Sequence, residues 1–365
     1  MRERFGGIAW QTYRRSRIVS SDRDAGRHDG ERAGGTSAWR GRIMRPLLWD
    51  DPAGIIFRTM RHLLLRTVCT VLAASAVAST ATAQQDTPVT ISWTPQQPRQ
   101  GSAVQIVVLF SDVPSVGDSI PPVRGHLAGQ QLHFERTNRG LYRAIGAIPV
   151  SAATTIPLLL ELGLPGEAED RTVRIPVTEG EFTVERLSVA PQYVAPPDSA
   201  LRIRIAEERA RAGEVSRRTH ATPRLWQGTF AVPVDGRVTS PFGKGREFNG
   251  VVQSRHMGTD LSGITGTPVR APNRGVVALT GDFYYAGRVV YLDHGAGLVT
   301  VYMHLSEIVV APGDTVEVGQ LLGRVGATGR VTGPHLHWTA RYGSVSFDPL
   351  TLFTAELEAF QTAAP

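Results

Sequence analysis

Leu298-Val299-Thr300-Val301-Tyr302-Met303-His304-Leu305 is an alternating run rich in β-branched and aromatic residues. A period of two belongs to a strand, whose successive side chains face opposite sides of a sheet. The same period recurs upstream in Val89, Ile91 and Trp93, in Val104, Ile106, Val108 and Phe110, in Val173, Ile175 and Val177, and in Phe182 and Val184. Turn residues separate these runs at spacings that suit a sandwich. Gly 38 and Pro 24 in a chain of 365 residues also favour turn-rich β structure over a helical bundle. The predicted class is all-β. An immunoglobulin-like β-sandwich is expected over 84–194 and a glycine-rich antiparallel β domain over 225–355, with a short helical connector over 195–224 and a tail over 356–365. In the connector, Asp198 is placed to cap a helix over Ser199–Ser216, whose Arg- and Glu-rich composition reads as a solvated face.

The net charge of +6 is unevenly distributed. Residues 1–83 hold 14 Arg against 7 acids, so the remaining residues carry 25 basic and 26 acidic groups, and nothing there resembles a nucleic-acid footprint. From Met60 a basic start at Arg61 and Arg66 leads into an apolar run from Thr67 to Ala78 and then Ala81-Thr82-Ala83, an Ala-x-Ala cleavage pattern. Residues 60–83 are therefore expected to be a signal peptide, and 1–59 a non-native or disordered extension. The mature protein is expected to be exported, periplasmic or secreted. The single cysteine, Cys69, lies inside the signal, so neither a disulfide nor a Cys nucleophile is available to the mature chain. No later run of about 18 apolar residues suggests an integral membrane domain.

Five of the ten histidines fall between residues 256 and 337. His256-Met257-Gly258-Thr259-Asp260 and His335-Leu336-His337 both carry metal-ligand spacing. Two imidazoles and one carboxylate leave a fourth tetrahedral position on Zn²⁺ for water, as catalysis requires. His335 and His337 share one face of a strand, so one can bind metal while the other works beside it. His304 is a third candidate for the same cleft, as an acid or base. His294, in Asp293-His294-Gly295, reads as structural, and His126 and His133 as ordinary strand or loop residues.

Ser240-Pro241-Phe242-Gly243, the His256–Leu261 segment, Gly266-Thr267-Pro268-Val269-Arg270-Ala271-Pro272, Tyr302-Met303-His304-Leu305 and Gly329–Trp338 follow one another in this order. Over roughly 230–353 the chain resembles the lysostaphin/LytM-like zinc metalloendopeptidases that cut peptide bonds in peptidoglycan. The resemblance implies a duplicated hybrid motif fold, with His256, Asp260 and His337 as zinc ligands and His304 and His335 as catalytic, non-ligand histidines. It also points to Asn249 as a further metal-proximal residue. The implied substrate is a peptidoglycan stem peptide, with a D,D-endopeptidase specificity preferred. The alternative is an inactive wall-binding or amidase-activating relative, and the intact ligand set argues for the enzyme. The 84–194 segment is expected to contribute no catalytic group. A carrier-domain reading of Val310–Gln320 fails, because the only lysine, Lys244, lies elsewhere.

Overall fold

The alternation that defines the N-terminal strands is also the alternation of their burial. Along β3 (Val123–Leu127) buried and exposed residues alternate strictly, and along β2 (Ala103–Phe110) Val104, Ile106, Val108 and Phe110 are all buried. The computed structural model describes residues 89–111, 122–138, 140–164 and 167–353, which belong to one unit of the chain. The expected extension over 1–59, the signal segment over 60–83 and the tail over 356–365 lie outside the described residues. Among the described residues no helix is long and apolar enough to cross a membrane.

The remaining N-terminal strands are β1 (Val89–Thr94), β4 (Gln130–Gln131), β5 (Glu135–Asn138), β6 (Leu141–Ala147), β7 (Thr155–Leu164) and β8 (Glu167–Pro176). They form two four-stranded antiparallel sheets, ordered β1-β2-β6-β5 and β4-β3-β7-β8, whose inner faces share one core. That core does not end with the sheets. Trp226, Phe230, Tyr342, Phe347 and Leu352 of the C-terminal region belong to the same buried cluster as Ile106, Leu127 and Leu158. Hydrogen bonds tie the seam, from Ala103 N to Thr351 Oγ1 (3.0 Å) and from the Tyr342 hydroxyl to the Gln131 carbonyl (2.9 Å).

The C-terminal strands run β10 (Val238–Ser240), β11 (Gly245–Phe248), β12 (Val252–Arg255), β13 (Thr259–Ser262), β14 (Pro268–Arg270), β15 (Gly275–Phe283), β16 (Gly287–Gly295), β17 (Leu298–Leu305), β18 (Glu307–Ile308), β19 (Thr315–Val316), β20 (Leu321–Arg324), β21 (His335–Tyr342) and β22 (Val345–Phe347), after β9 (Val184–Leu187). The main sheet has eight strands in the order β10-β13-β21-β17-β16-β15-β19, with β22 on β21. A small sheet, β14-β20-β18, packs against one of its faces over Leu261, Val269, Leu292, Tyr302, Leu322 and Trp338. The protein is thus mostly β.

Two features differ from the expected domain boundaries. β9 lies within the segment expected to be sandwich, yet it pairs in parallel with β11 of the C-terminal region. The connector helix α1 (Ser199–Arg218) is not a solvated spacer either. Asp198 Oδ1 caps it by accepting Leu201 N (2.8 Å), as expected, but Ile205, Glu208, Ala212 and Val215 are buried. Ala212 and Val215 pack on Leu279, Phe283, Val289, Tyr291 and Val301 of the main sheet. Those few small and branched residues are placed close to helical spacing in a sequence otherwise dominated by charge, which hides the stripe from composition.

Candidate metal centre and active site

β13 and β21 are adjacent and antiparallel, with Asp260 paired to His337 and Ser262 to His335. This register brings residues about 75 positions apart onto one face of the main sheet. His256 enters from the turn before β13. Its Nε2 lies 2.9 Å from Asp260 Oδ1 and 2.9 Å from His337 Nδ1, and His337 Nδ1 lies 2.8 Å from Asp260 Oδ1. All three residues are buried, and one ligand atom from each falls within 4.8 Å of the others.

The surroundings decide which ring nitrogens face inward. His256 Nδ1–H donates to the Pro241 carbonyl at 3.0 Å, leaving the Nε2 lone pair for the cluster. Thr339 Oγ1 donates to the Met257 carbonyl (3.0 Å), so its own lone pair accepts His337 Nε2–H at 3.0 Å and leaves His337 Nδ1 as an acceptor. Asp260 Oδ2 is held by Arg246 Nη2, so Oδ1 is the oxygen that meets the imidazoles. Three acceptor atoms with their protons engaged elsewhere therefore converge in a buried space. That arrangement is repulsive unless a cation joins it, and two imidazoles with a carboxylate suit a divalent metal. Burial pulls His337 down to about 4, against the opposing charge of Asp260. Burial pushes Asp260 up, but the His256 and His337 imidazoles beside it more than offset this, so the carboxyl stays well below its usual range.

His304 and His335 stand beside this cluster, their ring centroids 5.0 Å apart. Strict alternation would turn His304 away, because Met303 is the residue paired with His337 across β17 and β21. The backbone corrects this. His304 adopts φ +65, and the β16–β17 register shifts by one residue between Tyr302 and Leu305. A bulge of this kind re-aims a side chain, and a non-glycine residue there is strained by roughly 1–3 kcal/mol. His304 Nδ1–H donates to the Thr328 carbonyl (2.8 Å) and His335 Nδ1–H to the Gly333 carbonyl (2.9 Å). Each ring thereby presents Nε2 as an acceptor, and His335 Nε2 is 3.6 Å from Asp260 Oδ1. Burial, with the neighbouring His335 and His337 imidazoles opposing a further positive charge, holds His304 well below the usual imidazole range.

Other expected residues lie elsewhere. Asn249 directs its side chain to Val189 and makes no hydrogen bond to His256, Asp260 or His337. Its side chain accepts from Val189 N (2.9 Å) and donates to the Val189 carbonyl (2.8 Å), fastening the segment after β9. His294 is fully buried, donating Nδ1–H to the Arg274 carbonyl (2.8 Å) and sharing a hydrogen bond with Thr300 (2.8 Å). His133, in the loop after β4, stacks its ring on His220 with Nε2 3.0 Å from Nδ1.

Several residues around the site were not singled out from sequence. Thr339 was legible only by extending same-face periodicity from His337 along β21, and Arg246, on the separate strand β11, had no such signal. Glu185 on β9 had no local signal. Its carboxylate accepts from Ser240 Oγ (2.9 Å) and Lys244 Nζ (2.6 Å), and Ser240 Oγ sits 3.2 Å from His256 Nδ1. The upstream segment therefore supplies a carboxylate two contacts from the metal cluster. It also lines one wall of an open cleft of about 540 Å³, with Glu185, Leu187 and Val189 facing Asp260, Arg330 and His335.

Residues 254–349 match the sequence profile of peptidase family M23. Over 110 residues the chain is 44% identical to Peptidoglycan DD-endopeptidase ShyA of Vibrio cholerae, covering 29% of this chain and 25% of ShyA. Over 130 residues it is 39% identical to DD-carboxypeptidase/endopeptidase Mpg of Neisseria meningitidis, covering 35% of this chain and 30% of Mpg. The chain thus spans a quarter to a third of the length of these curated relatives. A crystal structure of a Pseudomonas aeruginosa protein assigned to peptidase M23 aligns with a TM-score of 0.53 and 29% identity, covering 71% of this chain and 96% of that one. The convergent His256–Asp260–His337 cluster lies inside the matched region, and residues 254–349 form a peptidase M23 domain.

Proposed function

We propose that the protein is an exported, zinc-dependent endopeptidase that hydrolyses peptide cross-links in peptidoglycan, of the D,D-endopeptidase type. The observation that carries this reading is the convergence of His256 Nε2, His337 Nδ1 and Asp260 Oδ1 with their other polar atoms engaged outward. The printed names of ShyA and Mpg support the substrate class. The open cleft beside Asp260 and His335 supports access for a polymeric substrate.

His256, Asp260 and His337 would hold a Zn²⁺ ion, whose chemistry would be Lewis acidity toward the scissile carbonyl and a lowering of a water's pKa from 15.7 toward about 7. The chain's own residues then handle protons. His304 and His335 each offer a free Nε2 acceptor, fixed by an Nδ1–H bond to a backbone carbonyl. One of them takes the proton of the attacking water. Once protonated it becomes a donor, able to stabilise developing oxyanion charge and to protonate the leaving amine. Arg246 keeps Asp260 Oδ2 engaged so that Oδ1 stays directed at the imidazoles.

Export rests on the Ala81-Thr82-Ala83 boundary, and mass spectrometry of the exported protein should find Gln84 at its N terminus. The immunoglobulin-like class we assign to the sandwich is supported by its sheet orders, in which the first, second, sixth and fifth strands face the fourth, third, seventh and eighth. The enzymatic reading is tested by digesting sacculi with zinc-loaded, chelator-treated and zinc-restored protein and separating the muropeptides. Cross-linked dimers should fall and monomers rise only with zinc. Release of disaccharides alone would overturn the class.

A further inference from the structure

Arg341 is a buried guanidinium without a counter-charge. It lies on β21 four residues beyond His337, on the same face of the sheet, and is 4% exposed. Its Nη2 donates to the Ser344 carbonyl at 3.3 Å, and its Nε has no hydrogen-bond partner. Among the described residues no carboxylate forms an ion pair with it, and the neighbouring Tyr291 phenol is kept neutral by burial, which pushes it up to about 12. Burying an ionised group unpaired is among the costliest arrangements a fold can hold.

Arg341 lines a cavity of about 150 Å³ between helix α1 and the main sheet. The walls are largely apolar, with Ala212, Phe283, Val301 and Met303 among them, while five arginines line it against one carboxylate, Glu208. Glu208 is already engaged, accepting from Tyr284 N at 3.0 Å and from Arg204 Nε at 2.8 Å. The cavity also reaches His304 and His337, and Arg246, Phe248 and Arg330 line both it and the open cleft. A space of this size accommodates a benzene-sized ligand.

We infer that this cavity is a binding subsite for a small monocarboxylate with an apolar flank, whose carboxylate pairs with Arg341 and whose hydrocarbon lies against Val301, Met303 and Phe283. Two sources share this chemistry. One is the C-terminal residue of a peptide, which rests on the proposed peptidase reading. The other is a free short-chain carboxylic acid, which does not depend on it.

The test is calorimetric titration of the full, zinc-loaded protein with butyrate, butyramide, chloride and N-acetyl-D-alanine. Butyrate should bind at least tenfold more tightly than butyramide or chloride. Arg341→Gln should lose at least tenfold in butyrate affinity with its zinc content unchanged. If that variant fails to fold, Ser346→Asp serves instead. Ser346 is paired with Arg341 across β21 and β22, so an internal carboxylate there should raise the melting temperature and abolish butyrate binding. Tighter binding of N-acetyl-D-alanine than of butyrate assigns the subsite to a peptide terminus, and the reverse assigns it to a free acid. Equal binding of butyrate and butyramide, no binding of either, or butyrate binding that survives in Arg341→Gln because the acid sits on zinc would each overturn the inference. Binding is read without turnover, so loss of the peptidase reading and loss of the subsite are separate results.

Discussion

Gly258→Ala tests how tightly the fold holds the metal cluster. Gly258 sits midway between His256 and Asp260, under the His337 ring. A Cβ built there would lie 2.5 Å from Thr339 Oγ1, 2.6 Å from His337 Nε2 and 2.7 Å from His337 Cε1. To reach ordinary contact at 3.4 Å, the imidazole must retreat by about 0.8 Å. It cannot retreat freely, because the same threonine orients it and is itself bonded to the Met257 carbonyl at 3.0 Å. Overpacking of this kind costs roughly 1–3 kcal/mol, and loss of the His337–Thr339 hydrogen bond adds about 1 kcal/mol. Freeing a ligand from its orienting partner typically weakens metal binding by about 10–100-fold, and a misplacement near 1 Å slows chemistry by about 10²-fold. Zinc affinity by competition with a chromogenic chelator, denaturant unfolding and muropeptide turnover should therefore all fall together. Gly333→Ala is the control, since a Cβ there meets nothing within 4 Å. A Gly258→Ala protein with wild-type zinc affinity and turnover would refute the placement of His337 as a ligand held by Thr339.

Other outcomes follow from the same geometry. His304→Ala and His335→Ala should keep zinc yet lower kcat by roughly 10²–10⁴-fold, whereas His256→Ala should lose zinc; metal analysis beside kinetics separates the two patterns. His294 is buried neutral, its pKa pulled by burial to about 4, so the unfolded chain binds the extra proton between about pH 6.5 and 4 and stability must fall as pH falls through that window. The loss amounts to about 3 kcal/mol from this one residue, and urea midpoints at a series of pH values should show a slope that His294→Gln flattens. A fragment comprising 225–365 exposes Trp226, Phe230, Tyr342, Phe347 and Leu352 of the shared core, so it should melt well below the longer chain or precipitate. Glu185→Gln in the full chain should leave the fold intact but loosen Ser240 and Lys244, raising the zinc dissociation constant about tenfold in the same chelator competition.

Much of this protein was determined locally and could be read from the chain alone. A period of two survives in the sequence where a strand such as β2 buries one face, so the β class and the inward Val104, Ile106, Val108 and Phe110 were visible before any pairing was known. The Asp198 cap and the ligand spacing of His256, Asp260, His335 and His337 are likewise short-range features. The tertiary structure decided what short-range patterns cannot carry. The left-handed backbone at His304 turns its ring into the cleft against the strand's alternation. Pairing β9 with β11 brings Glu185 to the metal cluster across about 60 residues, and the buried stripe of α1 emerges only when the sheet it covers is present. Asn249 shows the converse. Its neighbourhood in sequence suggested the metal, but the chain reversal beside it aims its amide at Val189. The physical reason is common to all four. A side chain's direction depends on backbone dihedrals and on partners distant in sequence, and neither is encoded in the spacing of residues along one strand.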